Sequence, residues 1–86
     1  MRPDVIVINE ADNVAVAMRD LPAGAEFALP GGASLVAVVE IPLGHKVALR
    51  GLAAGEDIIK YGECIGVAAE RIQPGDWIHT HNIKPA

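Results

Sequence analysis

One cysteine, three aromatic residues and no block of basic charge set the first limits on this 86-residue chain. Cys64 has no second cysteine with which to form an internal disulfide, which fits a reducing compartment. With aromatics at 3%, the core must be built from Val, Ile, Leu and Ala, leaving Phe27, Tyr61 and Trp77 as isolated large pieces. Seven Lys and Arg against eleven Asp and Glu give a net charge of −4. Without a basic stripe to neutralise phosphates, the composition argues against a nucleic-acid partner. No apolar run approaches membrane-spanning length, so no membrane partner is expected. The opening Met1-Arg2-Pro3-Asp4 leads straight to strand-like alternation rather than to the apolar centre of a signal peptide. A soluble, cytoplasmic protein is the expectation.

What the chain does contain is apolar strand, with 51% of residues hydrophobic. Its length fits one domain, residues 1–86, small enough to leave apolar surface for a partner or a second copy to cover. Runs rich in β-branched and aliphatic residues occupy positions 5–9, 14–18, 27–29, 35–40, 46–49, 58–61, 65–69 and 77–82. Turn residues separate them, among them Asp12-Asn13, Pro30-Gly31-Gly32, Pro42, Gly44 and Gly62. This pattern predicts an all-β domain of short strands. Asp12-Asn13 is expected to supply the left-handed backbone of a hairpin turn. The Ala-rich stretch 66–72 is the one place where a helical turn competes with a strand.

One local pattern recurs in Leu21-Pro22-Ala23-Gly24, Leu52-Ala53-Ala54-Gly55 and Ile72-Gln73-Pro74-Gly75, each with an acidic residue close behind. The glycine fits a positive φ and the aliphatic residue would pin the turn to the core. The unequal spacing of these three reads as a reused turn and not as a solenoid.

The residues with the most chemistry are three histidines. His45 follows the turn Pro42-Leu43-Gly44, and His79-Thr80-His81-Asn82 closes the last run. Imidazole suits both metal binding and proton transfer near neutral pH. On a strand over 77–82, Trp77, His79 and His81 would share one face. Two imidazoles alone make a weak metal site. On spacing alone, the pair reads as solvated histidines and His45 as a surface loop residue. Lys46 and Lys60 can hold a carboxylate as point charges, although Lys60 reads more simply as a solubilising charge. Cys64 lies in a strand-like run with no neighbouring base and is expected to be a buried, inert thiol.

Four ordered strings change the weight of these residues. They are Ile41-Pro42-Leu43-Gly44-His45-Lys46-Val47-Ala48-Leu49-Arg50, Gly55-Glu56-Asp57-Ile58-Ile59-Lys60-Tyr61-Gly62-Glu63, Ile65-Gly66, and Gly75-Asp76-Trp77-Ile78-His79-Thr80-His81-Asn82. Together they resemble the amino-terminal SAF domain of altronate and galactarate dehydratases, and the small subunit of sulfolactate sulfo-lyase is similar. The resemblance implies a β-clip fold of short bent strands and hairpins. It implies a lyase that removes water, or in one branch sulfite, from a hydroxy acid of the hexonate or hexarate type. It implies a divalent metal, iron being the expected one, in the complete enzyme and a large dehydratase subunit as partner. His45, His79 and His81 would then contribute to catalysis without sufficing alone, His79 and His81 would be candidate metal contacts, and Lys46 and Asn82 would meet the substrate. The chain is then expected to be the small subunit, or a detached amino-terminal domain, of a sugar-acid dehydratase. Two alternatives stay open: a non-catalytic cytosolic SAF binding or assembly module, and the small subunit of a sulfolactate sulfo-lyase.

Overall fold

Glycine turns divide the fold as they divide the sequence. The computed structural model describes residues 3–86, and its strands are short: β1 (Val5–Ile6), β2 (Val14–Ala17), β3 (Glu26–Ala28), β4 (Ser34–Val36), β5 (Lys46–Ala48), β6 (Asp57–Lys60), β7 (Glu63–Ala68), β8 (Trp77–Ile78) and β9 (Ile83–Lys84). No helix occurs among the described residues, and the 66–72 stretch where a helical turn competed is the end of β7 followed by a turn. The domain is all-β. A central sheet runs in the order β1-β2-β5-β8, flanked by the pair β3-β4 and the three-stranded sheet β6-β7-β9, all antiparallel.

Alternation along the central strands sends side chains to two opposite faces, and each face has its own core. Ala15, Ala17 and Val47 pack with Val5, Leu21, Phe27, Ala37 and Ile41 on one face. Val14, Ala48 and Ile78 pack with Leu52, Ile58, Ala68 and Ile72 on the other. Both are aliphatic apart from Phe27, as the shortage of aromatics requires. Burying each large member stabilises the fold by roughly 1.5–3 kcal/mol before conformational entropy is counted.

These cores are copies of each other. Adding 31 to the numbers of Ala17, Leu21, Phe27, Ala37, Ile41 and Val47 gives Ala48, Leu52, Ile58, Ala68, Ile72 and Ile78. The backbone hydrogen bonds repeat at the same offset. Gly24 N–H donates to Ala37 O and Gly55 N–H to Ala68 O, and Gly44 N–H donates to Ala17 O and Gly75 N–H to Ala48 O, each at 2.8 Å. Antiparallel bridges join Leu21 to Ile41 and Leu52 to Ile72. The recurrent turn therefore has a fourth copy, Ile41-Pro42-Leu43-Gly44, and the spacing that looked unequal among three becomes regular among four. All four glycines hold φ between 83° and 86°.

Asp12 and Asn13 differ from expectation. Tyr61, at φ 57°, is the one described non-glycine residue in the left-handed region. Asp12 and Asn13 act through their side chains. The Asp12 carboxylate accepts the backbone N–H groups of Asn9 (3.1 Å), Tyr61 (3.1 Å) and Gly62 (2.8 Å). Asn13 accepts from Ile59 N–H and donates to Asp57 O, both at 2.8 Å. This neighbouring pair ties the 60–62 turn and β6 to the start of β2, and both residues are buried.

Candidate functional site

The ladder between β5 and β8 builds the site. Val47 lies opposite Trp77 and Lys46 opposite Ile78. His45 is two residues before Val47, so it shares that face and meets Trp77 diagonally. Its position is held by its own backbone: His45 N–H donates to Pro42 O (3.0 Å) and its carbonyl accepts from Ala17 N–H (2.9 Å). The Trp77 indole N–H donates to Nδ1 of His45 at 3.1 Å, with ring centroids 5.8 Å apart.

The last histidines reach the same place by a different route from the one expected. The strand stops at Ile78, and residues 79–82 form a turn. Strand parity therefore does not align His79 and His81; the turn does. His79 stacks on Trp77 with centroids 5.0 Å apart and planes within 9°. His81 lies 5.2 Å from the indole and His79 lies 5.1 Å from His45. Three imidazoles from two distant stretches thus gather around one indole. His45, Trp77 and His79 are half-buried, and His81 is exposed.

Asn82 explains why the strand ends there. It is 2% exposed; its Oδ1 accepts His79 N–H at 3.0 Å and its Nδ2 donates to Trp77 O at 2.8 Å. Each end of its amide holds one backbone group of the turn, so in this structure it positions the histidines. Lys46 points to the opposite face of β5 from His45 and Val47, toward the second core. Burial, and then the charge of nearby Lys60, hold its pKa below the ordinary lysine value. Neither lysine forms an ion pair among the described residues, and Lys60 lies over the Tyr61 ring at 4.9 Å. Cys64 is exposed, not buried, because the first half of β7 lies uncovered at the surface; its thiol donates to Gly66 O at 3.3 Å.

No group of three His, Cys, Asp or Glu side chains that could hold a metal ion occurs among the described residues. The imidazoles converge on an indole, which offers no metal donor. The donors of the described residues therefore do not by themselves make a three-ligand site for a divalent ion. What the cluster offers is imidazole nitrogens that can hydrogen-bond to a polar ligand or pass a proton to it. The contribution hidden from sequence reading was the Trp77–His45 bond. Its one available signal was the shared turn pattern at 41–44 and 72–75, which places β5 beside β8.

A family model described as the altronate/galactarate dehydratase SAF domain matches residues 3–86. The chain belongs to this family. Altronate dehydratase of Bacillus subtilis is 40% identical over 79 residues, covering 92% of this chain and 16% of the relative. Galactarate dehydratase (L-threo-forming) of Escherichia coli is 45% identical over 75 residues, covering 85% of this chain and 14% of the relative. The (2R)-sulfolactate sulfo-lyase subunit alpha of Paracoccus pantotrophus is 50% identical over 50 residues, covering 58% of this chain and 75% of that subunit. The SAF chain thus spans about one sixth or less of the dehydratases it matches.

Proposed function

We propose that this SAF chain works with a separate, larger catalytic polypeptide to eliminate water from a sugar acid of the altronate or galactarate type. In this reading it lies across the mouth of the larger partner's active site with the His45–His79–His81 face inward. Elimination beside a carboxylate needs a base for the α-proton and a group that helps hydroxide leave. Imidazoles are suited to either task near neutral pH. The observation that carries the proposal is the gathering of the three imidazoles around Trp77 in a chain of this family. Any divalent ion of the complete enzyme would take most of its donors from outside this chain, and no step here is routed through one.

A second reading, the alpha-type subunit of a sulfolactate sulfo-lyase, is favoured by the share of that relative the match covers, 75% against 16% for altronate dehydratase. The two readings separate in one experiment. The chain is combined with a large dehydratase polypeptide and, separately, with a large sulfo-lyase polypeptide, and water elimination from altronate and galactarate is assayed alongside sulfite release from sulfolactate. His45→Ala and His79→Ala should each lower the active reaction by roughly 100-fold or more. Unchanged turnover in both variants would remove the active-site role and leave a binding or assembly module.

A further inference from the structure

The indole N–H is a donor with no acceptor capacity, so the His45 nitrogen that receives it must present a lone pair. That nitrogen is Nδ1, 3.1 Å from Trp77 Nε1. A neutral imidazole carries its one hydrogen on the other nitrogen. We infer that Trp77 is a positioning residue that fixes neutral His45 in its Nε2–H form, so that His45 meets a substrate oxygen as a hydrogen-bond donor and not as a base. The first half stands on geometry alone; the second rests on the proposed dehydratase or sulfo-lyase role.

The indole is well placed to impose this. The Trp77 backbone is fixed in the ladder opposite Val47 and its backbone N–H donates to the Asp76 carboxylate at 2.9 Å, while the ring packs against the first core and stacks on His79. Among the described residues none hydrogen-bonds to Nε2 of His45, which leaves that nitrogen for a ligand. A neutral Nε2–H can donate to a carboxylate, a hydroxyl or a developing oxyanion. It has no lone pair on that side with which to remove an α-proton. Proton abstraction then falls to His79, His81 or a group of the larger polypeptide.

Long-range ¹H–¹⁵N correlation spectra of the isolated chain at about pH 8.5, two units above the ordinary imidazole value, read the tautomer directly. The expected result is an unprotonated-type Nδ1 and a protonated-type Nε2 for His45. An Nδ1–H form, or an equal mixture, would overturn the inference. Trp77→Phe keeps a ring and removes the donor, and should let His45 relax toward a mixture. If that variant does not fold, solvent exchange of the Trp77 indole N–H replaces it, and should quicken about tenfold in His45→Ala. In the two-chain enzyme, His45→Gln restores an N–H donor without a base. It should stay within about tenfold of the parent while His45→Ala falls roughly 100-fold or more. A glutamine variant as poor as alanine would refute the donor role. Indifference to both would refute the proposed function while leaving the tautomer result standing.

Discussion

The side-chain amide of Asn82 donates to the backbone carbonyl of Trp77 across 2.8 Å. The same side chain receives His79 N–H, and the Asn82 backbone N–H returns to His79 O at 3.0 Å. One buried residue thus closes the turn that carries His79 and His81 and attaches it to the end of β8. This closure ties together the backbone that carries His79 and the backbone that carries Trp77, whose rings stack.

Asn82→Ala should therefore cost stability and organisation together. Two groups, His79 N–H and Trp77 O, lose their partner, at about 1–3 kcal/mol for each that stays dry. The urea midpoint should fall, and Trp77 emission should move to the red as the turn loosens. Asn82→Asp keeps an acceptor for His79 N–H but sets a carboxylate oxygen against the Trp77 carbonyl, so it should also be destabilised. A midpoint unchanged in the alanine variant would show that the turn does not depend on this amide.

The four equivalent turn glycines should not be equally replaceable. A Cβ on Gly24 meets nothing within 4 Å, so Gly24→Ala should cost only the positive-φ penalty, about 1–2 kcal/mol. A Cβ on Gly75 would be driven into the backbone carbonyl of Val36, which lies against it. Val38 N–H also donates to Gly75 O at 3.0 Å, so neither segment can move aside without losing that bond. Gly75→Ala should lower the melting temperature several times more than Gly24→Ala. Equal shifts would mean that the 36–38 segment yields freely.

The all-β class, the turn positions and the three histidines were legible because glycine, proline and imidazole carry local signals. Strand ends were less so. The runs at 5–9 and 77–82 are apolar enough to continue as strand, but β1 stops at Ile6 and β8 at Ile78. At the second of these, a buried asparagine captures backbone groups that a longer ladder would have used. The roles of Asp12 and Asn13 depend on groups 44 to 50 positions away, which no local pattern announces. The 31-residue repeat was present in the turn motif once Ile41 joined Leu21, Leu52 and Ile72. The chemistry lies where that repeat departs from itself: Val14 corresponds to His45, Lys46 to Trp77, and Ala48 to His79.

Cys64 offers a direct check on which face of β7 is open. An exposed thiol should react with an aromatic disulfide reagent in the native state, reaching one equivalent per chain without denaturant. Labelling seen only after unfolding would place β7 against a covering surface, whether within the chain or in an assembly.

Lys46 gives the pH dependence its sign. Burial is the larger cause of its lowered pKa and the Lys60 charge the smaller, so the folded state disfavours the ammonium form relative to the unfolded chain. Below the folded value the charge is carried in both states and destabilises the fold. As pH rises from that value toward the ordinary 10.5, the folded chain sheds a proton that the unfolded chain keeps, and stability increases. Lys46→Met retains an unbranched apolar stem on the second-core face and removes the charge. It should raise the urea midpoint at pH 7 and abolish the gain in stability on the alkaline side. Lys60→Gln should reproduce a smaller part of the first effect, since it removes only the lesser cause. A methionine variant less stable than the parent at pH 7 would show that the Lys46 ammonium is held by favourable contacts that outweigh its burial.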